Sequence, residues 1–162
     1  MRCVIQRVSS ACVVVDGVAR GRIDAGLCVL AGLYESDGEQ DLAWMADKVA
    51  NLRIFEDAEG KMNVSVRDLP APGGGILLIP NFTLAGDARK GRRPSFDLAM
   101  RPERSGPMFD RFAGVLRGHA DPVPVAVGVF RADMKVSLTN DGPVTIVVDS
   151  AGAAGPGASG AR

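Results

Sequence analysis

The segment MKVSLTNDGPVTIVV, residues 134–148, contains two apolar strand-like runs separated by a group of turn-forming residues. Asn140 and Asp141 have side chains that can hydrogen-bond to nearby backbone. Gly142 tolerates a positive φ, and Pro143 fixes φ and removes a hydrogen-bond donor. A Gly-Pro bond is also one of the few places where a cis peptide costs little. The pattern predicts a rigid corner at which bare backbone can approach a ligand, with an ordinary β-turn as the simpler alternative.

The chain before this corner alternates between strand and helix patterns. Residues 2–15 and 18–23 flank Asp16-Gly17, a strong hairpin signal, and residues 27–33 form a continuous apolar run typical of a strand buried on both faces. Further strands are predicted within 53–63 and at 76–79, 123–130 and 134–138.

Two amphipathic helices are predicted from apolar residues at helical spacing. The first covers about residues 38–51, with Ser36 and Glu39 as its capping box. The second covers 103–118, and Pro107 allows it to begin as late as Gly106.

The order of strands, helix, strands, helix and strands predicts one β-rich domain of the α/β class, α+β-like in its organisation, over residues 1–150. Two sheets flanked by two long helices are expected. The remaining residues, 151–162, are rich in glycine and alanine, contain no core-forming side chain, and are predicted to be a disordered tail.

Charge and hydropathy exclude several classes of partner. Nineteen basic and nineteen acidic residues cancel, so any nucleic acid must be bound by a local patch. Neither a signal peptide nor a membrane-spanning run is evident, and we expect a cytoplasmic protein with no membrane or DNA partner. The local candidate is a cluster of four cations, which either binds phosphates or is a solvated loop. Its members are Arg89, Lys90, Arg92 and Arg93.

Cys3, Cys12 and Cys28 show no metal-ligand spacing, and His119 is the single histidine. Inert thiols are the expected interpretation, with no metal and no cofactor. A Ser-His-Asp triad could be built only if His119 supplied the base.

Six segments stand out when they are taken together: RCVIQRVS (2–9), NLRIF (51–55) with GKMN (60–63), NFTL (81–84), DARKGRRPSF (87–96), ADM (132–134) and NDGPVT (140–145). In this order and at this spacing they resemble the D-aminoacyl-tRNA deacylase family over residues 1–150. The resemblance implies a barrel-like pair of sheets and a metal-free homodimer. It also implies hydrolysis of the ester that joins a D-amino acid to the 3′ end of tRNA, a proofreading step in translation.

The resemblance assigns chiral selection to Gly142 and Pro143. In the family this Gly-Pro peptide is cis and reaches into the partner's active site, where its backbone rejects L-amino acids sterically. To distinguish D- from L-amino acids whatever their side chain, a site needs a rigid wall close to the substrate Cα. Protein backbone can supply such a wall. Glycine would escape such a filter, so glycyl-tRNA is an expected side substrate.

The resemblance places the reaction at Asn81, Phe82 and Thr83. The family motif reads Ser-Gln-Phe-Thr-Leu, so Pro80 and Asn81 depart from it. We expect Thr83 to position the substrate, since no base is evident to activate its hydroxyl. Water would attack the ester while backbone N–H groups at Phe82 and Thr83 polarise the carbonyl and the ribose 2′-hydroxyl assists. Pro80 lacks an N–H group, which suggests an altered rate or looser selectivity.

Other residues have expected supporting roles. Arg7 matches an arginine that buttresses the Gly-Pro loop, with an exposed strand charge as the alternative. Phe130, Ala132 and Met134 could form a wall for the terminal adenosine, although core packing explains Met134 equally well. Arg131 stands where the family usually has glycine. The Arg89–Arg93 cluster would contact tRNA phosphates.

Two alternative functions keep the same fold. One is an RNA-binding module that has lost turnover through the Pro80-Asn81 pair. The other is a deacylase directed mainly at achiral or L-amino acids.

Overall fold

The structure, a computed structural model, describes residues 1–70 and 73–150. The strands are β1 (Arg2–Val15), β2 (Val18–Ile23), β3 (Gly26–Gly32), β4 (Phe55–Glu56), β5 (Met62–Val64), β6 (Gly75–Pro80), β7 (Val125–Val127) and β8 (Lys135–Asp149). The helices are α1 (Glu39–Asn51) and α2 (Pro102–Ala120), and short 3-10 turns cover Val66–Asp68 and Phe82–Ala85. The tail predicted over 151–162 lies outside the described residues.

Strand β1 organises the main sheet because both of its edges are paired. Its first half pairs with β3 and its second half with β2, while β8 follows its other edge along most of its length, all antiparallel. Parallel pairing then adds β6 to β3 and β7 to β6. The strands β4 and β5 form a separate two-stranded ribbon.

The main sheet curls so that β2 lies over β6 and β7. A Cβ atom on Gly21 would come within 2.8 Å of Leu77 Cδ1 and 3.4 Å of Ala126 Cβ. The predicted barrel-like α+β fold is confirmed, with the difference that its two layers are one sheet continuous through β1.

The two larger apolar clusters of the described residues result from this curl. The first lies between the sheet and the helices and contains Leu27 and Val29 of β3 together with Phe112 of α2. The second fills the interior of the curled sheet and contains Cys28 and Leu77. Since successive side chains of a strand point to opposite faces, β3 contributes to both cores, as its continuous apolar run predicts.

The helix ends differ from the sequence predictions. Helix α1 is capped by Gly38, whose N–H donates a 3.0 Å hydrogen bond to Asp41 Oδ2, so the predicted capping box of Ser36 and Glu39 is wrong. Helix α2 begins at Pro102, because proline at the first helical position gives up only an N–H group that would have no partner in the helix. No helix of the described residues is long and apolar enough to cross a membrane.

Two predicted strand boundaries are also wrong. The run 123–130 forms a strand only over Val125–Val127, since the chain then turns away from the sheet near Arg131, whose φ is +61°. The runs 134–138 and 144–148 are parts of one strand, β8. Between the pairs Gln6–Thr145 and Ser10–Thr139, β8 has two more residues than β1, so the predicted corner is a bulge within a paired strand.

Candidate functional site

A cleft of about 1070 Å³ opens at the carboxyl end of β6, between the start of α2 and the turn that precedes β8. Most of its lining is apolar, which is typical of ligand sites in proteins. The predicted site residues that line it are Pro80, Asn81, Phe82, Thr83, Phe130, Ala132 and Met134. Two segments far apart in sequence are therefore brought to one cleft.

The 3-10 turn Phe82–Ala85, which Asn81 caps, contributes Phe82 and Thr83 to the lining of the cleft. The Asn81 side-chain oxygen accepts hydrogen bonds from the Thr83 N–H at 3.2 Å and from the Thr83 hydroxyl at 2.5 Å. The Thr83 hydroxyl is thus held by an amide oxygen, which is too weak a base to activate it. Among the residues that the structure describes, none accepts a hydrogen bond from the Phe82 N–H.

The ring of Phe82 lies at the rim of the cleft and is 59% exposed. It contacts the ring of Phe96, with centroids 5.2 Å apart and planes tilted by 59°. Sequence reasoning gave no role to Phe96, although it closes the DARKGRRPSF segment. A single aromatic residue in a loop has no periodicity from which its position could be inferred.

Pro80 is the last residue of β6, and the Asn81 N–H donates to the Ala31 carbonyl oxygen of β3 at 2.8 Å. Successive N–H groups of a strand point to alternate sides, so the N–H group that Pro80 lacks would point towards β7. The pairing of β6 with β7 already ends at Leu78–Val127. Proline is therefore tolerated at the point where pairing has already ended.

The opposite wall is formed by residues 130–134. The Phe130 ring packs on α2 at Gly106, where a Cβ atom would meet Phe130 Cε1 at 3.2 Å. Met134 packs over Gly128, with Sδ at 2.9 Å from a Cβ built there, and it also contacts the second core. Met134 thus lines the cleft and packs in the interior, as both interpretations of it require.

The corner of β8 is held by side-chain hydrogen bonds to backbone. Asn140 Oδ1 accepts from the Val144 N–H at 2.7 Å, and Asn140 Nδ2 donates to the Val144 carbonyl oxygen at 3.1 Å. The Gly142-Pro143 peptide is cis, and Gly142 has φ +137°. Neither Gly142 nor Pro143 lines the cleft of its own chain.

Arg7 lies behind this corner and is buried, with 6% of its surface exposed. Its Nε donates to the Asp141 carbonyl oxygen at 2.9 Å, and its Nη1 donates to the Ile54 carbonyl oxygen at 2.8 Å. An exposed strand charge, the alternative interpretation of Arg7, is therefore wrong.

The basic cluster forms a loop closed by paired backbone hydrogen bonds between Asp87 and Ser95. Arg89 is bound to Asp87 through two side-chain hydrogen bonds of 2.9 and 2.6 Å, and this arginine lowers the pKa of the Asp87 carboxyl to about 2. Lys90, Arg92 and Arg93 are exposed. The loop lies outside the cleft lining and adjoins it through Phe96.

Neither a cysteine nor His119 lines the cleft. Burial raises the pKa of the Cys3 thiol to about 12 and that of the Cys28 thiol to about 11. Within residues 1–70 and 73–150, no group of three or more His, Cys, Asp or Glu side chains could hold a metal ion.

Comparison with known proteins gives a consistent result. The D-Tyr-tRNA(Tyr) deacylase family matches residues 4–149 of this chain. A D-aminoacyl-tRNA deacylase of Geobacter metallireducens is 53% identical over 155 residues, which cover 96% of this chain and 99% of that protein. A D-aminoacyl-tRNA deacylase of Kosmotoga olearia is 54% identical over 150 residues, covering 93% and 97%.

Two solved structures have the same fold. That of a c-Myc DNA unwinding element binding protein has a TM-score of 0.86 at 40% identity and covers 93% of this chain and 99% of its own. That of a probable eukaryotic D-amino acid tRNA deacylase has a TM-score of 0.74 at 20% identity, covering 91% and 97%, a likeness that concerns the fold alone.

Proposed function

The chain belongs to the D-Tyr-tRNA(Tyr) deacylase family and acts as a D-aminoacyl-tRNA deacylase, and we propose that it hydrolyses the aminoacyl ester in the cleft at the end of β6. The observation that carries this proposal is that Pro80–Thr83 and Phe130–Met134 line the same apolar cleft. Its volume of about 1070 Å³ is sufficient for an aminoacylated adenosine.

The proposed reaction uses water as the nucleophile. The water oxygen adds to the ester carbonyl carbon, and the bond from that carbon to the 3′ oxygen then breaks. One proton of the attacking water passes to the 3′ oxygen with the help of the neighbouring 2′-hydroxyl, the other is released to solvent, and the amino acid leaves as a carboxylate. The protein's part is to orient the ester and to stabilise the negative charge that develops on the carbonyl oxygen.

The Phe82 N–H is the donor best suited to stabilise that charge, because no described residue accepts its hydrogen bond. The Thr83 N–H already donates to Asn81 Oδ1 at 3.2 Å, so it could contribute only if the Asn81 side chain turned away. Thr83 then positions the substrate through its hydroxyl. Asn81 holds the turn in the shape that presents the Phe82 N–H.

We assign chiral selection to Gly142 and Pro143 of a second copy of the chain. Support comes from their position, since both are exposed and neither lines the cleft of its own chain. A homodimer in which each corner enters the partner's cleft would put backbone close to the substrate Cα. An L-amino acid would then collide with that backbone, whereas glycine would not, so glycyl-tRNA is a second substrate.

The supporting roles follow from the contacts already described. Arg7 is a positioning residue for the corner, because it donates to the Asp141 carbonyl oxygen. Lys90, Arg92 and Arg93 supply affinity for tRNA phosphates without reading sequence. Arg89 contributes less, because Asp87 already neutralises its charge.

The test is deacylation of D-tyrosyl-, L-tyrosyl- and glycyl-tRNA by the purified protein with EDTA present. We expect loss of the D-tyrosyl and glycyl esters with the L-tyrosyl ester intact. Loss of all three esters would favour the relaxed deacylase suggested by Pro80 and Asn81. Tight binding of the three charged tRNAs without hydrolysis would favour an RNA-binding module.

A further inference from the structure

We propose that Arg131 is a positioning residue that binds a phosphate of the substrate's 3′ strand at the mouth of the cleft. The phosphate in question is the one that links the terminal nucleoside to the preceding nucleotide. This inference rests on the proposed function, because it requires the aminoacylated 3′ end to occupy the cleft.

The first observation is the backbone of Arg131, which has φ +61°. A side chain with a Cβ atom is disfavoured in this region, where glycine and asparagine are the common residues. The chain therefore keeps an arginine at a position where its backbone is strained. Such outliers concentrate where a side chain is used.

The second observation is that Arg131 forms no ion pair or hydrogen bond with any residue that the structure describes. Two cations on the segments that flank the cleft are paired: Lys135 pairs with Asp133 at 3.0 Å, and Arg104 pairs with Glu35. Arg101 also lines the cleft; its main-chain N–H donates to Glu35 Oε2 at 3.1 Å, and this hydrogen bond, together with the charges of Arg104 and Arg101, lowers the pKa of the Glu35 carboxyl. Arg131 is therefore a cleft-lining cation without an ion-pair partner among the described residues.

The third observation is the surroundings of Arg131. It lines the cleft between Phe130 and Ala132 and is itself exposed, so its charge lies at the boundary between an apolar site and water. A nucleoside held against the apolar wall would leave its 5′ phosphate at that boundary. The planar guanidinium matches phosphate oxygens with two parallel hydrogen bonds.

The experiment compares two substrates, D-tyrosyl-tRNA and 3′-O-D-tyrosyl-adenosine, which lacks every phosphate. The variants are Arg131→Gly, Arg131→Asn and Arg131→Lys. Glycine and asparagine both suit a positive φ, so neither is expected to unfold the protein. The control is Arg20→Ala on β2, an exposed arginine that does not line the cleft.

We expect Arg131→Gly and Arg131→Asn to raise KM for D-tyrosyl-tRNA by about tenfold, with kcat within about twofold of the parent protein. The slope of log kcat/KM against log salt should become shallower by about 0.7, the value for one single-strand phosphate contact. Arg131→Lys should restore most of the affinity. None of the variants should affect the nucleoside ester, and Arg20→Ala should affect neither substrate.

The outcomes separate the two proposals. If the parent protein cleaves neither substrate, the proposed function fails. If it cleaves both and the two neutral variants change neither, or change both equally, only the role of Arg131 fails. An effect confined to Arg131→Gly would trace the defect to backbone freedom and would also overturn the role of the charge.

Discussion

The Nε of Arg7 donates a 2.9 Å hydrogen bond to the main-chain oxygen of Asp141, the residue that precedes Gly142. The same guanidinium donates to the Ile54 carbonyl oxygen at 2.8 Å. One buried side chain thus joins the corner of β8 to the segment that leads into β4. Loss of this side chain should affect both the stability of the fold and the shape of the corner.

Replacement of Arg7 by leucine should lower the free energy of unfolding by about 2–4 kcal/mol, because the buried Ile54 carbonyl and the partly buried Asp141 carbonyl lose their donor. Selectivity should fall as well, since the corner loses its support, and the L-tyrosyl ester should begin to be hydrolysed. Urea unfolding and the ratio of D- to L-tyrosyl-tRNA hydrolysis measure the two effects. Arg2→Leu is the control, because its pair with Asp149 is partly exposed and should contribute about 1 kcal/mol or less. Equal stability of the two variants would contradict the prediction.

Replacement of Gly142 by alanine should destabilise the protein by about 1–3 kcal/mol, because its positive φ disfavours a side chain. A Cβ atom there would also lie 2.9 Å from the Val144 nitrogen. The matched control is Gly114→Ala in α2, where a Cβ atom meets nothing within 4 Å. That change should stabilise the protein by up to about 1 kcal/mol, the helix preference of alanine over glycine. Thermal unfolding of both variants at one pH should shift the melting temperature in opposite directions. Shifts of the same sign would refute the prediction.

Replacement of Thr83 by valine should lower kcat by less than about 100-fold, because a positioning hydroxyl contributes far less than a nucleophile, whose loss typically costs about a millionfold. Valine keeps the branched shape and removes only the hydroxyl bound to Asn81 Oδ1. Thr83→Ser is the companion variant that keeps the hydroxyl. Single-turnover hydrolysis of D-tyrosyl-tRNA provides the measurement. Abolished activity in the valine variant with recovery in the serine variant would instead identify Thr83 as the nucleophile.

The three cysteines should differ in their reaction with iodoacetamide. Cys3 and Cys28 are fully buried, and desolvation raises the pKa values of their thiols to about 12 and about 11, so the reactive thiolate is disfavoured at pH 8. Cys12 is only partly buried and should be labelled first. Mass spectrometry of the native protein gives the order of labelling. Hydrolysis should persist after Cys12 has reacted, since no cysteine lines the cleft. Early labelling of Cys3 would contradict this account.

Local signals in the sequence predicted the elements that depend on short-range physics. The Asp16-Gly17 hairpin is confirmed, with φ of +50° and +75° as its turn requires, and the buried strand at 27–33 is confirmed as β3. The start of α1 was predicted to within one residue, but its capping residues were predicted wrongly, because Gly38 and Asp41 close the helix start instead of Ser36 and Glu39. Glycine carries no side-chain signal for a cap, so the pattern of Ser36 and Glu39 was the more visible one in the sequence.

The segments that form the site could be identified from the sequence. The contacts between individual side chains could not be predicted. The Arg89–Asp87 pair removes one cation from the basic cluster, and no spacing rule identifies which of its arginines would be neutralised. The positive φ of Arg131 was equally hidden, because arginine has no preference for that conformation. Long-range geometry fixes both features.

The pairing of β1 with β8 also has a consequence for synthesis of the protein on the ribosome. Residues 2–15 emerge first, yet one whole edge of that strand is covered only by residues 135–149. Until those residues emerge, the first strand exposes an unpaired apolar edge of the kind that templates aggregation. Native pairing of β1 is therefore completed only after residues 135–149 have emerged, and a nascent chain that stalls earlier keeps this edge unpaired and depends on chaperones.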